Sequence, residues 1–192
     1  MLELGTLEDA RTRILESAQR AVLAVRRLES VPVQSIEDGV AQLTVLREQA
    51  HDSLIHIRRA QLIVRAAEWL LSHDHGNPAT RWHWCPRRTA DPGEPDLQGR
   101  EGQVTLSAMV VAAHSTEGSG EAQLRRALAK LATMPGRKFL FVDTTALKRR
   151  AVTRILLTNW DISVVQIALP DAAGVRPVRP VAFPVGSAAS AS

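Results

Sequence analysis

Apolar residues recur at helical spacing from residue 7 to residue 28 of the chain. Intervals of three, four and seven residues place them on one face of an α-helix. Thr6 supplies a hydroxyl group before this run and Asp9 supplies a carboxylate three positions later, which is the arrangement of a capping box. Proline disfavours helical conformation in the residue before it. The pattern therefore predicts a first helix that ends before Pro32.

A second helical pattern begins after Ser35, which has acidic residues close behind it, and continues to residue 72. An unbroken helix of this length would extend about 55 Å, which is more than a compact domain of this size needs. We therefore expect either a break at residues 51–53 or a partner helix. The two apolar stripes predict an antiparallel helical hairpin over residues 1–72, with its second helix packed on the core, and a homodimer through these helices.

The rest of the chain has the shorter period and the apolar runs that are typical of strands. Strands are predicted at residues 81–85, 104–113, 138–142 and 162–167, with a further strand entered at Asp96. Helices are predicted at residues 121–134 and from Thr144 or Thr145 to about Trp160. This order predicts an α/β domain over residues 73–169, in which helices flank both faces of a mixed central sheet. Residues 170–192 are expected to form a Pro/Ala/Ser-rich tail.

Composition is typical of a soluble globular protein. Hydrophobic residues make up 45% and charged residues 23% of the 192 residues, and no apolar run reaches the roughly 20 residues that cross a bilayer. The acidic N-terminus does not match a secretory signal, and Cys85 has no second cysteine with which to pair. We therefore expect a cytoplasmic protein without a membrane partner. The net charge of +4 permits contact with nucleic acid without requiring it.

A short acidic motif precedes one of the buried strands. Residues 94–99 are EPDLQG, and after a turn the chain continues as VTLSAMVVA over residues 104–112. Together with an α-β-β-β-α-β order of elements, this motif resembles the PD-(D/E)XK nuclease family over about residues 36–167. The resemblance implies a restriction-endonuclease-like fold. In that family, an aspartate at the start of the second strand and a Glu-x-Lys on the third bind Mg²⁺ for attack on DNA.

The resemblance assigns roles to few residues of this chain. Asp96 matches the metal-binding aspartate, and Glu68 matches a helix glutamate that often joins the site. Met109 and Val111 stand where the glutamate and the lysine of the family belong, and neither side chain can ligate or polarise anything useful. We therefore expect a catalytically degenerate protein that binds DNA or a protein partner without cutting.

Other functions remain open. The helix after the strand offers Glu121 and Lys130, which with Asp96 would form the rearranged site of an active Mg²⁺-dependent DNA endonuclease. An enzyme disarmed at Met109 alone is another alternative. Against the rearranged site, Glu121 lies in a first helical turn, where an acid stabilises the helix dipole, and a solvated helix position explains Lys130. A helical assembly or scaffold protein, working through residues 6–72, is the third function.

The sharpest basic cluster consists of Lys148, Arg149, Arg150 and Arg154. Arg150 and Arg154 are four residues apart and therefore share one face of the predicted helix. Arginine forms paired hydrogen bonds with phosphate, so this face is the predicted DNA contact. A solvated helix face that binds no partner explains the same pattern.

Three histidines and the single cysteine raise a zinc hypothesis. His73, His75, His83 and Cys85 are ligand types that hold zinc in tetrahedral sites. Their spacing matches no common zinc finger, and the tryptophans that alternate with His83 and Cys85 predict that the opposite face of this strand anchors the core. Scattered surface histidines and a buried thiol are the ordinary alternative.

Overall fold

The computed structural model describes residues 2–75, 80–85, 94–113 and 119–168. Within them lie the helices α1 (Leu7–Glu29), α2 (Ile36–Ser72), α3 (Ser119–Thr133) and α4 (Thr145–Thr158). The strands are β1 (Leu2–Glu3), β2 (Arg81–Trp84), β3 (Leu97–Glu101), β4 (Gln103–Val111), β5 (Arg137–Val142) and β6 (Ser163–Gln166). The predicted tail, residues 170–192, lies outside the described residues.

The six strands form one sheet in sequence order, from β1 at one edge to β6 at the other. The first four strands are antiparallel neighbours, and a tight turn at Gly102, whose φ of 79° favours glycine, joins β3 to β4. β5 and β6 are parallel to β4, so the chain crosses back through α3 and then through α4. The predicted α/β class and mixed sheet are confirmed. No pattern predicted the two-residue strand β1.

The side chains of β4 separate the core into two layers. Leu106, Ala108 and Val110 belong to one buried cluster, together with residues of α2 and both tryptophans of β2. Val111 belongs to a second cluster, to which α3 and α4 contribute their apolar faces. Successive strand residues point to opposite faces, so α2 covers one face of the sheet and α3 and α4 cover the other.

α2 runs for 37 residues without interruption, so of the two alternatives it is the partner helix that is present and not the break at residues 51–53. Residues 51–53 contain no proline or glycine. α1 is the partner helix and lies antiparallel along α2, since Arg11 near its start contacts Glu68 and Leu28 near its end contacts Gln42. Gln42 stabilises the connection, because its Nε2 atom donates to the carbonyl oxygens of Leu28 and Val31. The buried residues of α2 begin only at Ala60. The first half of α2 and the end of α1 therefore project beyond the sheet as a two-helix arm.

Capping side chains set the starts of three helices. The Thr6 hydroxyl oxygen accepts from the Asp9 N–H at 3.1 Å, and the Asp9 carboxylate accepts from the Thr6 N–H at 3.1 Å, which confirms the capping box of α1. Ser35 caps α2 and Thr144 caps α4, each through the N–H three residues later. α4 ends at Asn159, which has a φ of 51°, close to its predicted end.

The turn between α3 and β5 lies tightly against β4. Gly136 has a φ of 76°, and a Cβ atom added there would lie 2.6 Å from the carbonyl carbon and oxygen of Thr105. Beside this turn, the Ser107 hydroxyl donates to the Pro135 carbonyl oxygen at 2.9 Å. These contacts hold the end of α3 against β4 and so fix the height of Lys130 over the sheet.

Gly136→Ala is expected to destabilise the protein by about 3 kcal/mol, because the methyl group adds a clash with the β4 backbone to the strain of a positive φ. Gly102→Ala is the matched control. Gly102 also has a positive φ, but nothing lies within 4 Å of an added Cβ, so a loss of about 1 kcal/mol is expected. Chemical denaturation measures both free energies of unfolding, and equal losses would contradict the close contact.

Candidate functional site

Asp96 lies at the entrance to β3, where its backbone already joins the sheet. Its N–H donates to the Ala108 carbonyl oxygen at 3.0 Å, and its own carbonyl oxygen accepts from the Cys85 N–H at 2.9 Å. Leu97 pairs with Ala108, so Asp96 is level with Met109 on the neighbouring strand. The aspartate of the motif and the residue in the glutamate position are therefore neighbours.

Both oxygen atoms of the Asp96 carboxylate are engaged. Oδ2 accepts a 2.7 Å hydrogen bond from the Val110 N–H, and Oδ1 accepts from the Nη2 atom of Arg59 in α2. The Asp96 side chain is 2% exposed and the Arg59 side chain 19% exposed, so solvent screens this ion pair little. The two residues are 37 positions apart in the chain, and no local sequence pattern indicates that they pair.

Lys130 of α3 adds a second positive charge near Asp96. Its Nζ atom donates to the carbonyl oxygen of Glu94, two residues before Asp96. Burial raises the pKa of the Asp96 carboxyl, while the Arg59 charge, the Val110 N–H and the Lys130 charge oppose that rise. One buried acid is thus held between two cations, and we call Asp96, Arg59 and Lys130 the Asp96 group.

The structure does not bring Glu121 to the Asp96 group. Glu121 lies in the first turn of α3 and Lys130 in the last, about 13 Å further along the helix axis. The Glu121 carboxylate instead pairs with Arg154 at 3.0 Å and with Arg150 at 3.9 Å. Of the residues in the hypothetical rearranged site, Asp96 and Lys130 are therefore close together, and Glu121 binds elsewhere.

Glu68 is also engaged outside the Asp96 group. Its carboxylate pairs with Arg11 of α1 at 2.6 Å and with Arg65 at 3.5 Å. Hydrogen bonds to Glu68 and then to Glu8 raise the pKa of Arg11. In this position Glu68 links the two helices of the N-terminal pair.

Met109 and Val111 lie in apolar surroundings. Val111 is 3% exposed and belongs to the buried cluster with α3 and α4, and the half-buried Met109 packs against the same cluster. Ser107, two residues before Met109, donates its hydroxyl to Pro135. Packing against α3 therefore accounts for the side chains on this face of β4.

Magnesium does not fit this set of donors. Mg²⁺ prefers an octahedral shell of oxygen atoms and needs carboxylate oxygens that are free to bind it. Each Asp96 oxygen already accepts a hydrogen bond, the side chain is 2% exposed, and the charges of Arg59 and Lys130 repel a divalent cation. Among residues 2–75, 80–85, 94–113 and 119–168, no group of three or more His, Cys, Asp and Glu side chains is arranged to hold a metal ion.

The residues of the zinc hypothesis lie in different places. His73 stacks on a tryptophan of α2 with ring centroids 4.1 Å apart, and His75 approaches a phenylalanine of β5 at 4.9 Å. His83 and Cys85 belong to β2 and its end, three strands from β5, which is about 14 Å at the usual strand spacing. Burial, followed by the charge of Arg137, lowers the pKa of His75 and favours its neutral ring.

Glu121 neutralises part of the predicted basic cluster on α4. Arg150 and Arg154 both pair with its carboxylate, whereas Arg149 is exposed and Lys148 is half-buried. The positive surface that this helix offers to phosphates is therefore smaller than the sequence predicts. DNA binding through α4 stays a prediction.

The two-helix arm carries a row of exposed apolar side chains. Most of them follow, by one position, a residue that lies between α1 and α2, as Leu15 follows Ile14 and Leu54 follows Ser53. Each residue along a helix is rotated by about 100° from the one before it. Because α1 and α2 are antiparallel, a rotation of this size away from their contact line points to the same side of the arm on both helices. These side chains are 51–82% exposed and form what we call the arm face: Leu15, Val22, Ile36, Val40, Leu43 and Leu54.

No match to a known protein bears on the Asp96 group or on the arm face. Comparison of the chain with protein-family models, with curated proteins and with solved structures found no match. None of the described helices is both long enough and apolar enough to cross a membrane. The Asp96 group and the arm face therefore rest on the sequence and the structure of this chain.

Arg59→Met is expected to destabilise the protein by about 3–5 kcal/mol, because it leaves the Asp96 charge buried without its main partner. Arg58→Met is the matched control, since Arg58 is the exposed neighbour on α2 and should change stability by less than about 0.5 kcal/mol. Chemical denaturation measures both. Adding Asp96→Asn to Arg59→Met should recover part of the loss, because no unpaired charge then remains. Small, equal losses in both single variants would show that the pair contributes little.

Proposed function

We propose that this protein is a catalytically inactive member of the restriction-endonuclease-like fold that acts by binding a partner. The elements from α2 to β5 follow the α-β-β-β-α-β order of the PD-(D/E)XK family that the sequence resembles. Three antiparallel strands, β2 to β4, are followed by a parallel β5. Asp96 stands at the start of the second of these strands, beside Met109.

The observation that carries the proposal is the state of the Asp96 carboxylate. An aspartate that takes part in metal-dependent hydrolysis must present at least one oxygen to the ion. Here Arg59 and the Val110 N–H engage both oxygens, and Lys130 supplies further positive charge. The contacts that stabilise the buried acid therefore withdraw it from metal binding.

No cleavage of plasmid DNA is expected with Mg²⁺ or Mn²⁺, because Asp96 is committed to Arg59. Asp96→Ala should be equally inactive. Met109→Glu should also stay inactive, because it places a carboxylate beside Asp96 without freeing the Asp96 oxygens. Gel electrophoresis of the nicked and linear forms over time measures all three proteins.

Two outcomes of this assay would overturn the proposal. Cleavage by the unchanged protein that Asp96→Ala abolishes would support the rearranged active site. Cleavage by Met109→Glu alone would identify an enzyme disarmed at one position. A parallel titration of duplex DNA at two salt concentrations tests the α4 cluster, because binding that weakens with salt and with Arg150→Glu plus Arg154→Glu would make DNA the partner.

Among the residues that the structure describes, the arm face is the exposed apolar surface best suited to a partner, and we infer that the partner is a second copy of the chain. This face extends about 27 Å from Leu54 to Ile36, along helices that project from the sheet. Val40 and Leu54 each lie seven residues from Arg47, so antiparallel packing of two α2 helices about Arg47 would place Val40 against Leu54. Arg47 is long enough to extend its charge to the edge of such an interface. This self-complementarity is what a two-fold homodimer requires.

Leu43→Glu is expected to weaken self-association at least about tenfold, because it replaces an apolar side chain of the arm face, 68% exposed in the monomer, by a charged one that the interface would bury. Leu156→Glu is the matched control, since Leu156 is 77% exposed but lies on α4. Sedimentation equilibrium measures the mass of each protein. A monomeric unchanged protein, or a dimer lost only in Leu156→Glu, would rule out the arm face as the interface.

A further inference from the structure

A cleft opens between α1 and α2 on the side of these helices that is opposite the arm face. Its volume is about 510 Å³, within the range of small-molecule sites. Arg13 and Arg20 line the cleft, and they precede Leu15 and Val22 of the arm face by two residues, which is about 200° around the helix. A molecule in the cleft and a second chain on the arm face would therefore occupy different surfaces.

The lining of the cleft combines positive charge with an apolar interior. Its charged or chargeable residues are Arg13, Arg20 and His56, and no Asp or Glu lines it among the residues that the structure describes. Ser17 and Ser53 add hydroxyl groups. The rest of the wall is apolar and consists of Ile14, Ala21, Ile57, Ala60 and Trp84.

Both arginines are available to a bound anion. Arg13 has no ion-pair contact within 4 Å in the described part of the chain, and its charge is the last of the contributions that lower the pKa of the exposed Asp9 one turn before it. Arg20 approaches Glu16 at 3.8 Å, but these side chains are 66% and 55% exposed, and such pairs contribute little. Arg20 also donates to the hydroxyl of Ser17 at 3.2 Å, which keeps its guanidinium beside a residue of the cleft. A ligand carboxylate would therefore compete only with weak partners.

One residue of the inner wall of the cleft carries a buried donor without a partner. Trp84 is 2% exposed, and its indole Nε1 atom has no hydrogen-bond partner. Such groups are rare in native proteins, and an ordered water or a ligand atom commonly satisfies them. The indole N–H can only donate, so an acceptor atom of a ligand would satisfy it.

We propose that the cleft binds a small amphipathic anion, with one acidic group on an apolar body. Arg13 and Arg20 bind the acidic group at the rim, because guanidinium forms charge-assisted hydrogen bonds with carboxylates. The apolar body lies along the wall that Ile14 and Trp84 form, where it leaves water. This binding depends neither on nuclease chemistry nor on the arm face.

Isothermal titration calorimetry with octanoate tests the site. The comparison ligands are 1-octanol, which has the same chain length without the charge, and inorganic phosphate, which has charge without an apolar body. Octanoate is expected to bind one molecule per chain, 1-octanol at least about tenfold more weakly, and phosphate not at all. Equal affinities for octanoate and 1-octanol would overturn the proposal, as would no octanoate binding up to roughly 1 mM.

Two double variants locate the binding. Arg13→Ala with Arg20→Ala removes two charges from the rim and should weaken octanoate binding at least about tenfold. Arg26→Ala with Arg27→Ala removes the same charge from α1 outside the cleft and should leave the affinity unchanged. All four side chains are exposed, and thermal unfolding checks that each variant folds. If both double variants weakened octanoate binding equally, the proposal would be overturned, because the effect would then come from the overall charge of the protein and not from the cleft.

The Leu43→Glu variant separates this proposal from dimerisation, since it should still bind octanoate when self-association is lost.

Discussion

The buried ion pair between Asp96 and Arg59 is the interaction on which the rest of the structure depends. A carboxylate that is 2% exposed is strongly unfavourable unless its charge and its lone pairs are satisfied. Arg59 can pair with the Asp96 carboxylate only when α2 has one position along its axis relative to the start of β3. The charge therefore fixes α2 along its own axis, while its apolar residues from Ala60 onward hold it against the sheet. The two-helix arm extends from this fixed point.

The same pair decides between a structural and a catalytic use of Asp96. A metal ion bound to Asp96 would displace Arg59 and leave the guanidinium without a counter-charge. The Nη1 atom of Arg59 is already buried without a hydrogen-bond partner, so this loss would add to an existing cost. Lys130, which is bound to the Glu94 carbonyl oxygen, would add to the repulsion. The apolar Met109 on the neighbouring strand suits the structural use, because a second carboxylate there would compete for the same cations. Stability and metal binding are thus alternative uses of one acid.

Local sequence patterns predicted the elements better than the contacts between them. Thr6 and Ser35 predicted the starts of α1 and α2 correctly, because an N-cap depends only on residues within one helical turn. The pattern gave both ends of α2 but did not decide between a break and a partner helix, because that depends on the packing of α1 against it. The pairing of Asp96 with Arg59 spans 37 positions, and the motif that identifies Asp96 carries no information about it. Glu121 matches a catalytic helix residue by type, yet the length of α3 and the arginines of α4 decide its partner.

Helical periodicity gives α1 two surfaces with different chemistry. Leu15 and Arg13 are two positions apart and point about 200° apart, so one can meet a second chain while the other remains beside the cleft. Each copy contains all of its own cleft residues, so a two-fold dimer would hold two complete clefts that face away from the interface. The cleft nevertheless lies between the two helices that form the arm face. Its arginines lie about 200° around α1 from the arm face, so an anion could occupy each cleft without displacing the second chain.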